Sequence, residues 1–383
     1  MREKGLENMI YFDNAATTKM DGEILEAMMN SMKNSWGNPS SEHSAGEKAK
    51  KLLEKSRTGI LSSLGLPSWK LIATSGATES NNLALFGFLA THKKGHFITV
   101  KTEHKSILEP AEYLSKNGFD ATFLNVDSNG QIDIDEFRSA IRDDTALLSF
   151  SFVNNETGII QKNWREILKI AHENGIAVHT DAVQAIGHAE VEWEQFDLIT
   201  ITAHKIGGPK GIGCLLLRPS VSLSPIIFGG GQENAIRGGT ENVSGLYAFS
   251  LAVKKIVSDM RLAEIQQMKD FLKREIKQIV PDAVFNGAGC SIPHILSVTI
   301  PDLDSENLIS ELDFKGVCVS GGSACLNNEN AFSHVIYSMT NSEKSARETM
   351  RISLCKENTL AECEEFARIF SAVICDFKKL RSA

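Results

Sequence analysis

The chain has 383 residues, 42% hydrophobic and 23% charged, with 40 basic against 48 acidic side chains. These proportions exclude a mainly disordered chain, and a net charge of −8 leaves no basic footprint for broad nucleic-acid binding. No apolar run reaches the ~18 residues of a membrane helix, and the charged residues 1–9 do not read as an export signal.

In chain order, the first half predicts alternating strands and helices. Strands are expected over 71–73, 96–100, 146–153, 176–180, 197–202 and 214–217, with helices over 79–90 and 164–174. That alternation implies βαβ units and a mainly parallel sheet. Residues 246–280 then read as long helical segments. They are followed by strands over 295–300, 317–320 and 350–354 and helices over 305–312 and 360–380, a smaller α+β unit. The seven cysteines are odd in number and form no CxxC pair, so free thiols in a reducing cytoplasm are expected, with neither a disulfide framework nor a zinc site.

Polar residues gather just after the strands: Thr78, His104, Asn155, Asp181, His204 and Lys205. In open α/β sheets the ligand lies at the carboxyl ends of the strands, so these residues point to one site. Lys205 precedes a glycine-rich turn, and a desolvated lysine amine condenses with aldehydes. A lone lysine in a turn is ordinarily a surface residue, but Asp181 also ends a strand. A carboxylate facing a pyridine nitrogen keeps it protonated. Lysine and aspartate together are the signature of a pyridoxal phosphate site. Ser75-Gly76-Ala77-Thr78 leads into a helix whose free N–H groups suit a phosphate, with Thr202 and His204 as further donors. His104 is suited to stack on a flat ring and to move protons near neutral pH.

Two further residues stand out. Cys325 lies among Gly, Ser, Ala and Asn, a composition that predicts an exposed loop and a reactive thiol. The other six cysteines sit in apolar or helical contexts and read as structural. Arg351 lies inside an apolar strand, where it needs either a protein carboxylate or the carboxylate of an amino-acid substrate.

These residues fall within motifs that span nearly the whole chain. They include Tyr11-Phe12-Asp13-Asn14-Ala15-Ala16, Gly37-Asn38-Pro39-Ser40, Ser75 to Asn82, Glu103-His104, Asn154-Asn155-Glu156 and Asp181-Ala182-Val183-Gln184. Ala203-His204-Lys205, Gly229 to Glu233, Gly239-Thr240-Glu241-Asn242, Gly322-Ser323-Ala324-Cys325 and Arg351-Ile352-Ser353-Leu354 complete the set. In this order they resemble a cysteine desulfurase of the NifS/IscS type, with the class V aminotransferase fold.

The resemblance implies an α/β pyridoxal-phosphate-dependent transferase fold. Residues 20–255 would form the large cofactor domain, and residues 1–19 with 256–383 a small domain carrying the cysteine loop. It implies that Lys205 bonds pyridoxal 5'-phosphate, Asp181 meets the ring nitrogen, Gln184 the ring hydroxyl and His104 the ring face. Ala77, Thr78, Thr202 and His204 would hold the phosphate, and Thr240 would reach the phosphate of the neighbouring subunit in a homodimer. Asn155 and Arg351 would bind L-cysteine, and Cys325 would take its sulfur as a persulfide. That sulfur would pass to an acceptor such as an iron–sulfur scaffold or a tRNA-thiolation protein. Gly238 stands where relatives carry serine or alanine, and Leu326-Asn327-Asn328 replaces small hydroxyl residues. Competing readings are a selenocysteine lyase or other class V enzyme, and a non-catalytic sulfur carrier or scaffold.

Overall fold

The computed structural model describes residues 9–92, 95–287, 289–322 and 332–382. Its centre is a seven-stranded sheet in the order Lys70–Thr74, Gly213–Leu217, Leu198–Thr202, Ala177–Asp181, Thr145–Ser151, His96–Val100 and Asp120–Leu124. Gly213–Leu217 runs antiparallel to both its neighbours, and the other pairs are parallel. Six strands therefore end at one edge, where Gly213 begins the seventh.

Alternation along the strands sends side chains to two faces. Leu148, Phe150, Ile199, Ile201 and Leu216 pack against Leu53 and Ile60 of helix Ser44–Ser63, Ile167 of helix Trp164–Glu173 and Phe249 of helix Val243–Ser258. Leu147, Leu198, Leu215 and Leu217 face the other way, onto Leu83, Leu89 and helix Lys105–Lys116. With both faces covered, the exposed strand ends are left to bind ligands.

A second core lies around an antiparallel four-stranded sheet, Ser320–Gly321, Thr349–Ser353, Ile295–Thr299 and Val284–Asn286. Helices Leu262–Ile279, Ser305–Phe314 and Leu360–Ser382 pack on it, and Ile10 and Phe12 belong to its cluster. The segment after Phe12 then crosses to the large sheet. Ala15 N–H donates to Ser353 Oγ at 2.9 Å, and Thr18 N–H to the His204 carbonyl at 2.8 Å.

The structure departs from the sequence expectations at two of the expected elements. The strand expected over 317–320 is divided. Val317–Cys318 pairs in parallel with Ile10–Tyr11, whereas Ser320–Gly321 joins Thr349–Ser353. The long helical segments expected over 246–280 are two helices, one for each core, separated at Asp259–Arg261, where Arg261 has φ of 45°. The helix expected over 79–90 starts earlier, at Ala77, and widens to a π-turn over Leu83–Gly87. Strand Asp120–Leu124 and helices Gly22–Asn34 and Ser44–Ser63 were not anticipated.

Candidate active site

A cavity of about 640 Å³ opens where the strand ends meet the small-unit sheet. On one side lies Ser75-Gly76-Ala77-Thr78, the start of the Ala77–Asn82 helix, which no side chain caps. Gly213 makes room for this turn, since a Cβ there would come within 2.7 Å of Gly76 Cα and carbonyl carbon. Glu79 Oε2 accepts from Ser75 N–H at 2.8 Å, and its Oε1 accepts from Arg237 Nε at 2.9 Å, which ties the loop before Thr240 to the helix start.

Lys205 ends a single 3-10 turn, Ala203–Lys205, that follows the Leu198–Thr202 strand. Its Nζ donates to the carbonyls of Ala15 and Ala16 at 2.6 and 2.7 Å. Burial, reinforced by the Arg351 charge, pushes its pKa down to about 8. Asp181 is buried at the end of its strand, Oδ1 accepting from Val183 N–H at 3.0 Å and Oδ2 from Asn81 Nδ2 at 2.8 Å. His104 exposes its ring to the cavity while packed protein, Lys205 and Lys105 hold its pKa below the ordinary value, against the pull of Asp181. His204 sits 3.2 Å from Thr17 Oγ1, and burial beside Lys205 and Lys210 lowers its pKa to about 4, so it is a neutral imidazole. Gln184 donates from Nε2 to the Ala15 carbonyl at 2.9 Å and meets His294 Nε2 with Oε1 at 3.1 Å.

Arg351 projects from the middle of Thr349–Ser353 and is 6% exposed. Nη2 donates to Asp13 Oδ1 and Nη1 to the Asn155 carbonyl, at 2.8 and 2.9 Å. Nε is buried with no protein partner. Asp13 thus holds one arm of Arg351 in an ion pair, and the guanidinium still lines the cavity. Below it, Glu156 accepts from Ser333 Oγ, and burial raises its pKa to about 7. Glu103, buried against Ser151 N–H and Oγ, is raised to about 8. Gly322 faces Glu156 so closely that a Cβ would lie 2.5 Å from Oε2.

Ala77, Thr78, His104, Asn155, Asp181, Gln184, His204, Lys205 and Arg351 all line this one cavity. Thr202 and Thr240 do not. Thr202 is 3% exposed and donates its hydroxyl to the Ile212 carbonyl, and Thr240 lies exposed on its loop. Cys325 lies outside the described residues, as does Leu326. Gly238 now has a reason: a Cβ there would sit 2.6 Å from Gly229 Cα. Sequence reasoning gave no role to Asp13, Asn81, Ser106, Glu156 or the Ala15 and Ala16 carbonyls. Asp13, Asn81 and Glu156 stood within quoted motifs, but the carbonyls carry no side-chain signal. Among the described cysteines Cys214 and Cys363 are buried, whereas Cys375 is exposed on the final helix. Among the described residues no helix is long and apolar enough to cross a membrane, and no group of three or more metal-ligating side chains occurs.

The donor set fits pyridoxal phosphate. An amine shifted toward its neutral form, a buried carboxylate and an uncapped helix start share one cavity, and a glycine makes space for the Ser75–Thr78 turn.

Comparison with known proteins agrees with this geometry. Residues 10–366 match the model of the aminotransferase class-V family. Cysteine desulfurase IscS of Dictyoglomus turgidum is 38% identical over 356 residues, covering 91% of this chain and 90% of that protein. Cysteine desulfurase IscS of Methanosarcina thermophila is 36% identical over 380 residues, covering 97% and 93%. Among solved structures, a NifS-like protein from Rickettsia africae superposes with a TM-score of 0.84 at 30% identity, over 96% of this chain and 99% of that one. SspA in complex with cysteine gives 0.79 at 33% identity, over 91% and 100%. The chain belongs to the aminotransferase class-V family and, within it, to the cysteine desulfurases of the IscS and NifS type.

Proposed function

We infer that this cavity is where the chain, a pyridoxal-phosphate-dependent cysteine desulfurase, converts L-cysteine to L-alanine. The observation that carries the reading is Lys205: a partly buried amine of pKa about 8, in one cavity with Asp181 and Arg351. When bound, pyridoxal phosphate supplies an electron-withdrawing ring that weakens the bonds at the substrate's α-carbon. Lys205 would hold the cofactor, and its Nζ, once free, would take the α-proton of the substrate. Asp181 would face the ring nitrogen, Gln184 the ring hydroxyl and His104 the ring face. Ala77, Thr78 and His204 hold the phosphate. Arg351 orients the substrate carboxylate with Asn155 beside it.

Cys325 is the sulfur acceptor in this reading. Its thiolate attacks the sulfur of the substrate and forms the S–S bond of a persulfide. The C–S bond breaks, the carbon side keeps the electron pair and takes up a proton, and alanine leaves. The persulfide sulfur then passes to an acceptor such as an iron–sulfur scaffold or a tRNA-thiolation protein. Thr240, exposed on a loop tied to the helix start, would serve the phosphate of a second subunit in a cytoplasmic homodimer. We also retain the division into a large unit over 20–255 and a small one over 1–19 and 256–383.

The test is alanine release from L-cysteine with pyridoxal phosphate and a thiol reductant, for wild type and Cys325→Ala. Turnover lost in the variant with its cofactor colour retained is the expected result. No turnover in either protein, with or without an acceptor protein, sinks the reading. Equal turnover in both removes Cys325 from the chemistry.

A further inference from the structure

Two side chains outside the assigned roles form a chain of hydrogen bonds between Asp181 and His104. Asn81, fully buried, lies with Nδ2 2.8 Å from Asp181 Oδ2 and 2.8 Å from Ser106 Oγ. Ser106 Oγ lies 2.8 Å from His104 Nδ1, and the Ser106 backbone N–H donates to that same nitrogen at 3.1 Å.

The protons on this chain can be counted. A carboxylate oxygen accepts, so the amide must turn its NH₂ toward Asp181. The opposite orientation would set a carbonyl oxygen against the carboxylate. Both Asn81 N–H protons are then used, one on Asp181 and one on Ser106. Ser106 Oγ, having accepted from Asn81, gives its own proton to His104 Nδ1. That nitrogen therefore receives two donors, the hydroxyl and the backbone N–H, and carries no proton itself. The neutral ring must hold its proton on Nε2.

This orientation leaves the other end of the amide without a partner. Asn81 Oδ1 is buried and has no partner. An amide placed here only for stability would satisfy both ends. Here one end is left unsatisfied while the other holds two functional groups together.

We propose that Asn81 and Ser106 are positioning residues that lock His104 in its Nε2–H form and couple its ring to Asp181. His104 then offers the cavity a donor and no lone pair, because its only acceptor nitrogen is occupied by Ser106. Proton abstraction is left to Lys205, and His104 serves as a hydrogen-bond donor at Nε2. Asp181, Lys205, Lys105 and His334 are the ionisable groups that act on His104. The consequence for catalysis rests on the cofactor reading above, whereas the tautomer does not.

The experiment is a long-range ¹H–¹⁵N correlation spectrum of the full chain purified with its cofactor, with ¹⁵N-labelled histidine. His104→Gln assigns the signal. Wild type should show the Nε2–H tautomer at neutral and alkaline pH. Ser106→Ala removes one donor from Nδ1, so His104 should titrate higher by about half a pH unit or more and admit some Nδ1–H form. Ser106→Thr should restore the wild-type pattern, and Asn81→Ala should move in the direction of Ser106→Ala. If Asn81→Ala fails to fold by circular dichroism, Ser106→Ala, which loses a single oxygen, decides alone. An Nδ1–H signal in wild type, or a Ser106→Ala spectrum and titration identical to wild type, overturns the proposal. None of these readouts depends on turnover, so failure of the desulfurase reading would leave them interpretable.

Discussion

Replacing Gly213 by alanine tests the Ser75–Thr78 turn proposed to hold the phosphate. The new Cβ would lie 2.7 Å from Gly76 Cα and carbonyl carbon and 3.0 Å from the Ile201 carbonyl oxygen. Carbon atoms in contact prefer about 3.5–4.0 Å, so about 1 Å of space must be found. The strand cannot supply it, because Gly213 is in register with Thr74 on one side and Thr202 on the other. The Ser75–Thr78 turn has to retreat instead. Overpacking of this size costs about 1–3 kcal/mol. For 383 residues the unfolding entropy is about 800 cal/mol/K, so 2 kcal/mol lowers Tm by only about 2–3 °C. Cofactor affinity is the sharper readout. Losing one hydrogen bond to a charged phosphate oxygen costs about 1.5–3 kcal/mol, which weakens Kd by roughly 10–100-fold. The assay is absorbance titration of the cofactor-stripped protein with pyridoxal phosphate, beside a thermal melt. A variant that binds within twofold of wild type would refute the claim that this turn cradles the phosphate.

Other predictions follow from the charges around the cavity. Lys205 with a pKa of about 8 is about one-quarter neutral at pH 7.5, against about one-thousandth for an ordinary lysine. Cofactor uptake by the stripped protein should therefore rise with pH through about 8, and Arg351→Gln should move that rise upward; a rise near 10.5 in wild type would contradict the structure. Glu103 and Glu156 have folded pKa values raised by burial to about 8 and 7 from 4.5. A raised carboxyl pKa stabilises the fold most below 4.5, and that contribution is lost as pH rises toward the folded value. Between pH 4.5 and 7 the two together should lower stability by up to about 2.7 kcal/mol per pH unit, and Glu103 alone by up to half that until about pH 8. Glu103→Gln should therefore flatten the decline of stability in urea across that window, and an unchanged slope would argue against a protonated Glu103. Asp13→Asn removes the counter-charge of a buried guanidinium. It should cost about 2–3 kcal/mol in denaturant unfolding, less than a fully buried pair because the Asp13 side chain is 20% exposed. A loss below about 0.5 kcal/mol would mean that the Arg351–Asn155 contact suffices.

The sequence alone determined the strand-and-helix alternation and the polar residues at the strand ends. Both are local properties. Period-two apolar patterning selects strands such as Leu198–Thr202, and an aspartate or lysine that follows such a run must lie at the edge of a sheet. The sequence also carried the motifs that mark the family. Three things needed the tertiary structure. The strand over 317–320 was divided because Ile10–Tyr11, more than 300 residues away in the chain, captures half of it. The Arg351 partner was decided by Asp13, brought in by that same crossing segment. The tautomer of His104 depends on Asn81 and Ser106, which come from two different helices and meet only because both pack over the carboxyl end of the sheet. Side-chain type and period are written in the neighbouring residues. Which donor meets which acceptor is set by how distant segments pack, and no local pattern encodes it.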